Sequence, residues 1–121
     1  MGYKYSIDRK SFSFNPTKIV AVSATYSALT SDDLINGTAG SAFTITLPTT
    51  ASLVAAGKPF KCYKIVKVDA AANAVTIAPG NGDTINGTTS ISTGTTQYNY
   101  FVIANNLNND WVVVDTNVAP A

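Results

Sequence analysis

Apolar and polar residues alternate along this chain in short bursts of period two, the spacing of strands with one buried face. Residues 42–47 (AFTITL) alternate and stop at Pro48. Residues 60–68 (FKCYKIVKV) form a longer, more apolar run, and residues 74–78 (AVTIA) stop at Pro79-Gly80. Residues 84–92 alternate weakly around Asn86-Gly87. Residues 98–104 (YNYFVIA) and 111–115 (WVVVD) are β-branched and aromatic, types that fit a pleated, half-buried surface. Near the start, Tyr3, Tyr5 and Ile7 alternate with polar residues, as do Phe12 and Phe14, until Asn15-Pro16 interrupts them. Residues 18–24 (KIVAVSA) read as a further strand.

Turn chemistry separates these runs. Asn36-Gly37, Gly80-Asn81-Gly82-Asp83, Asn86-Gly87 and the Asn-rich stretch 105–109 are all expected to be turns. Residues 49–57 (TTASLVAAG) read either as two helical turns, capped by Thr49 or Thr50 and ended by Gly57, or as a compact loop. A six-residue echo joins Asp33-Leu-Ile-Asn-Gly-Thr38 to Asp83-Thr-Ile-Asn-Gly-Thr88. Pseudo-symmetry between two hairpins and convergent turn chemistry both account for it. Short strands at this spacing predict an all-β fold, a β-sandwich or small barrel of short antiparallel strands. The expected division is an extended N-terminal arm over residues 1–24 and a β-sandwich domain over residues 25–121.

Composition narrows the function. A chain of 121 residues fits one domain, and 45% hydrophobic with 12% charged residues excludes a disordered chain. A net charge of +1 argues against nucleic acid as a partner. The charge is uneven, however. Lys4, Arg9, Lys10 and Lys18 sit in the arm, opposed there only by Asp8. Together with Tyr3, Tyr5, Phe12 and Phe14 they make an apolar and basic segment suited to an acidic partner surface. Lys58, Lys61, Lys64 and Lys67 form a second basic group, read as solubilising surface. Cys62, the single cysteine, lies in an apolar run and reads as a small buried hydrophobe. No secretory signal and no apolar stretch of membrane length is visible, so no membrane is expected and synthesis in a cytoplasm is.

The inventory of reactive groups argues against an enzyme. Histidine and glutamate are absent, which removes the usual proton shuttle and any triad built on it. One cysteine without histidine cannot make a zinc site. No phosphate-cradling loop is present. Asp32-Asp33 or Asp83 offer oxygens to calcium, but tight turns account for aspartates there, and no metal or cofactor is expected. Seven aspartates leave room for a carboxylate pair, yet their spacing points to none. The sequons at Asn36 and Asn86 read as turns. Tyr98, Tyr100, Phe101 and Trp111 suggest either a sugar-stacking surface or aromatic filler for the core.

Several pieces in order resemble a module found in bacteriophage tail fibres, tailspikes, head fibres and capsid decoration proteins. They are "ATYSALTSDDLI", then "FTITLP" before "TTASLVAAGK", then "YKIVKVDAAANAVTIAPGNGDTING", and finally an aromatic strand, an Asn-rich turn and "DWVVV". The resemblance runs from about Ala24 to Val114. It implies a β-sandwich that assembles as a homotrimer on the virion. One module nearly fills this chain, whereas fibres and spikes are usually much longer. That favours a capsid decoration or head-fibre protein on the capsid surface, with the major capsid protein as partner. A carbohydrate- or receptor-binding module of a fibre or spike is the alternative.

Overall fold

The computed structural model describes residues 16–38 and 40–119. Among them are ten strands and one short helix, and all the strands except those at 26–27 and 34–37 coincide with the alternating runs. The strands are β1 (Ile19–Val22), β2 (Tyr26–Ser27), β3 (Leu34–Gly37), β4 (Phe43–Thr46), β5 (Cys62–Lys67), β6 (Val75–Ala78), β7 (Thr84–Ile85), β8 (Ile91–Ser92), β9 (Tyr100–Asn105) and β10 (Asp110–Thr116). Helix α1 (Thr50–Ala55) lies between β4 and β5. The Thr49 hydroxyl caps it by accepting from the Ser52 amide.

The strands divide into two sheets. One has six strands in the order β1-β3-β5-β9-β10-β7, and the other has four in the order β2-β4-β6-β8. From β1 to β6 the chain therefore alternates between sheets, laying one strand in each on every turn of a coil. Three turns result: β1 with β2, β3 with β4, and β5 with β6. Successive turns stack in parallel, β1 on β3 and β3 on β5 in the larger sheet, β2 on β4 and β4 on β6 in the smaller. Strand β7 also lies parallel to β10, while β9 and β8 bring in the antiparallel pairs.

This corrects the expectation of antiparallel strands. The fold is all-β, but both sheets are mixed and neither closes into a barrel. Alternation reports which face of a strand is buried and carries no sign of its direction. The sheet also begins earlier than residue 25, since β1 lies within the stretch assigned to the arm.

Alternation does locate the core. Ile35, Ile65 and Ile103 of the larger sheet meet Phe43, Ile45, Val75 and Ile77 of the smaller in one buried cluster. Trp111 and Tyr63, their ring centroids 5.7 Å apart, and Leu53 of α1 join it. Full burial of an aliphatic side chain of this size contributes about 1.5–3 kcal/mol.

One expected turn is instead a strand. Asn36-Gly37 lies within β3, between β1 and β5. A Cβ on Gly37 would stand 3.1 Å from Val75 Cγ2 and 3.3 Å from Phe43 Cζ. The glycine serves close packing between the sheets. Asn86-Gly87 does turn, with φ of 47° and 76° and paired backbone bonds between Ile85 and Thr88.

Candidate functional site: an apolar end of the coil

The carboxylates with the clearest partners are engaged in holding the fold. Asp33 Oδ2 accepts from the Thr17 amide and hydroxyl and the Lys18 amide, and Oδ1 accepts from Lys61 Nζ at 2.6 Å. Burial acts to raise its pKa, but the lysine and the three N–H and O–H donors outweigh it and hold the carboxyl well below the usual range. Asp32 is fully buried and accepts from the Tyr26 hydroxyl at 2.6 Å and the Leu29 amide at 2.9 Å. Burial, followed by the hydrogen bond and charge of Asp32, pushes Tyr26 up to about 12. Burial also pushes Tyr63 upward, with Asp32 and Asp33 adding to it.

The other expected calcium ligand has a similar role. Asp83 Oδ2 accepts from the Thr50 amide at 2.8 Å and the Thr50 hydroxyl at 3.0 Å, tying the loop after β6 to the start of α1. Among the described residues no three of His, Cys, Asp or Glu come together as a metal site would require.

Two other expectations change. Lys67 is no solubilising lysine. It is fully buried, and its ammonium donates to Asp69 Oδ1 and the carbonyls of Asp69 and Ala71, at 3.0, 3.0 and 2.6 Å. Three acceptors match its three donors, which is what a buried ammonium requires. Cys62 is half-buried rather than buried, and burial raises its thiol pKa against the opposing charge of Lys61.

The aromatic residues do not form a platform. Trp111 and Phe101 lie in the core. Tyr100 lies beside Lys64 Nζ, 4.6 Å from the ring centroid, and its hydroxyl reaches Asp115. Tyr98 is exposed, but it precedes β9 and sits at φ 68° rather than alternating along the strand with Tyr100.

Four of the exposed large apolar residues are gathered by topology. The starts of β3, β5 and β10 and the end of β9 share one end of the larger sheet. The connections there carry Leu29, Val54, Phe60 and Leu107, all exposed. Hydrogen bonds hold these connections together. Lys58 Nζ donates to the Thr30 carbonyl, the Tyr63 hydroxyl to the Leu29 carbonyl, and the Asn105 amide to the Lys61 carbonyl.

Phe60 and Leu107 sit at φ 61° and 67°. A left-handed backbone costs a residue with a side chain about 1–2 kcal/mol. Phe60 is also 63% exposed, so its ring gains little from its own fold in return. Strained apolar residues on display are a sign of a contact surface. No local pattern marks this surface, because Leu29 and Leu107 sit singly in polar connections, while Val54 and Phe60 belong to runs that also hold buried apolar members.

Among the residues expected to bind a partner, Tyr3, Lys4, Tyr5, Arg9, Lys10, Phe12 and Phe14 lie outside the described residues. Lys18 is described. Its carbonyl accepts from the Asp33 and Leu34 amides, and its exposed ammonium stands 3.5 Å from Asp32 Oδ1. Lys18 therefore lies at the same end as the apolar connections.

A second apolar feature is a groove of about 560 Å³, open to solvent, where β10 extends past the edge of the smaller sheet. Ile91, Phe101, Val113 and Val118 line it. No family model matches this chain, and no curated protein or solved structure matches it either.

Proposed function

We propose that this chain is a structural protein of a bacteriophage virion, a capsid decoration or head-fibre protein that binds the head surface as a homotrimer and contacts the major capsid protein. The observation that carries this reading is the placement of Leu29, Val54, Phe60 and Leu107 at one end of the coil, two of them on strained backbone. Adhesion between proteins uses such a surface, and a small-molecule reaction does not. The resemblance to phage fibre and decoration modules supplies the class of partner. On this reading the two sheets pack face to face as a sandwich, and the protein has no catalytic role.

The basic residues Lys4, Arg9, Lys10 and Lys18 then face an acidic patch on the capsid. The test uses the full chain and phage heads that lack it. Replacing Lys4, Arg9 and Lys10 together by Gln should lower co-sedimentation with heads at least tenfold at low salt. Undiminished binding by that variant would defeat the role of the basic residues. Phe60→Ser and Leu107→Ser should weaken binding or trimer formation while the fold survives. If both variants assemble and bind like the parent, the apolar end is not the contact.

A further inference from the structure

The two sheets differ in what they turn away from the core. Successive strand residues point to opposite faces, and register carries each face across its sheet. On the smaller sheet the outward positions are Ser27, Thr44, Thr46, Thr76, Ala78 and Ser92. They are small and mostly hydroxylated, as suits a face in water. On the larger sheet the outward positions include Leu34, Cys62, Val66, Val102, Ala104 and Val112. Asn36, Lys64, Tyr100 and Asp115 interrupt them.

Strand β9 marks the middle of this apolar face. Phe101, Val102 and Ile103 are buried in succession. Phe101 and Ile103 join the core cluster, whereas Val102 lies on the opposite side, in register with Lys64 of β5 and Asp115 of β10. A strand that is apolar on both sides suits a sheet covered on both faces. Among the described residues the outer face stays open toward its flanks. Ile19 on β1 is 57% exposed, and Val112 and Val114 on β10 are 37% and 48% exposed. The charges at the centre of the face are engaged within it. Lys64 Nζ lies 4.6 Å from the centroid of the Tyr100 ring, and the Tyr100 hydroxyl donates to Asp115 Oδ2 at 3.1 Å. A partner for such a face must be apolar and bring no net charge, and the same face of another copy meets both conditions.

We infer that the outer face of the larger sheet is where copies of this chain meet, each copy turning it toward a common axis. The inference rests on the homotrimer reading and names its contact. Strand spacing and rise give the face roughly 24 by 17 Å, or about 400 Å². Three copies together bury roughly 1,200 Å² there, the lower bound for a stable interface, whereas two bury only roughly 800 Å², the size of a crystal contact. The apolar end that carries Phe60 and Leu107 is then left for the capsid.

Sedimentation of the full chain tests this. An Ile19→Lys, Val112→Lys double variant should remain a monomer at concentrations where the parent is a trimer. A Ser27→Lys, Thr76→Lys double variant, with the same added charge on the smaller sheet, should assemble like the parent. Both lysines of the first variant replace exposed side chains, and a parent-like circular dichroism spectrum checks its fold. Should it not fold, the parent alone decides the matter through Cys62, the single cysteine, which lies on the face. In the assembled parent Cys62 should react with a maleimide roughly tenfold more slowly than after dilution far enough to dissociate it. A trimer that survives both lysines, or that leaves Cys62 as reactive as in the dissociated chain, overturns this inference and leaves the homotrimer reading standing. A parent that is monomeric at every concentration overturns both.

Discussion

The chain carries the pattern Asp-x-Ile-Asn-Gly-Thr twice, at residues 33–38 and 83–88, and the two copies meet different fates. Three features are shared. Each aspartate anchors a connection through its carboxylate, each isoleucine is fully buried, and each copy begins a strand of the larger sheet. The copies part at Asn-Gly. In the first, β3 has a strand on either side, and extension through Gly37 gains hydrogen bonds to both. In the second, β7 is an outer strand with β10 on one side only, and the chain reverses after two residues. Asn-Gly permits a tight turn, and the neighbours decide whether one forms.

Several substitutions sharpen this contrast. Ile35→Ala and Ile85→Ala should cost most, each about 3 kcal/mol in urea unfolding, because both side chains are fully buried. A much smaller cost at Ile85 would show that the outer strand is loosely held. The aspartates should differ. Asp33→Asn breaks the Lys61 ion pair inside a carboxylate with four donors and should cost about 3 kcal/mol. Asp83→Asn keeps an acceptor for the Thr50 amide and should cost about 1 kcal/mol.

Acid unfolding separates the same pair by another route. The folded-state pKa of Asp33 lies below its ordinary 3.8. Its contribution is therefore complete above about pH 4 to 5 and fades as pH falls through the lower folded value. Asp33→Asn should flatten that acid limb. An unchanged limb in the variant would mean that the Lys61 contact contributes nothing in solution.

At the turn itself, Asn86→Ala should cost about 1–2 kcal/mol, since Ala strains at φ 47° and the Val113 amide loses its acceptor. Asn36→Ala, on extended backbone, should cost under about 0.5 kcal/mol. Equal costs would erase the distinction between strand and turn. The smallest effect is a gain. Phe60→Gly and Leu107→Gly relieve left-handed strain and should each stabilise the free protein by about 0.5–1 kcal/mol. Loss of stability on both changes would show that these side chains serve the fold.

Much of the architecture was legible because period-two alternation records burial. The runs at 42–47, 60–68, 74–78 and 98–104 all became strands, and Thr49 caps a real helix. Strand direction was not legible. Parallel stacking depends on which distant strand lies alongside, and no local residue encodes that. The burial of Lys67 had a signal that charge obscured. Tyr63, Ile65 and Lys67 share one face of β5, so alternation already directed the lysine inward. Of the candidate surface, the basic arm was visible as composition. The apolar end arises only when three separate connections are folded to the same place.

The proposed function requires the surface of this protein to join copies of itself to a larger protein array. Sedimentation equilibrium of the full chain at micromolar concentration tests that most directly. A single species at three times the 12.6 kDa chain mass, stable to tenfold dilution, is the predicted result. A species that holds at 12.6 kDa throughout would contradict it.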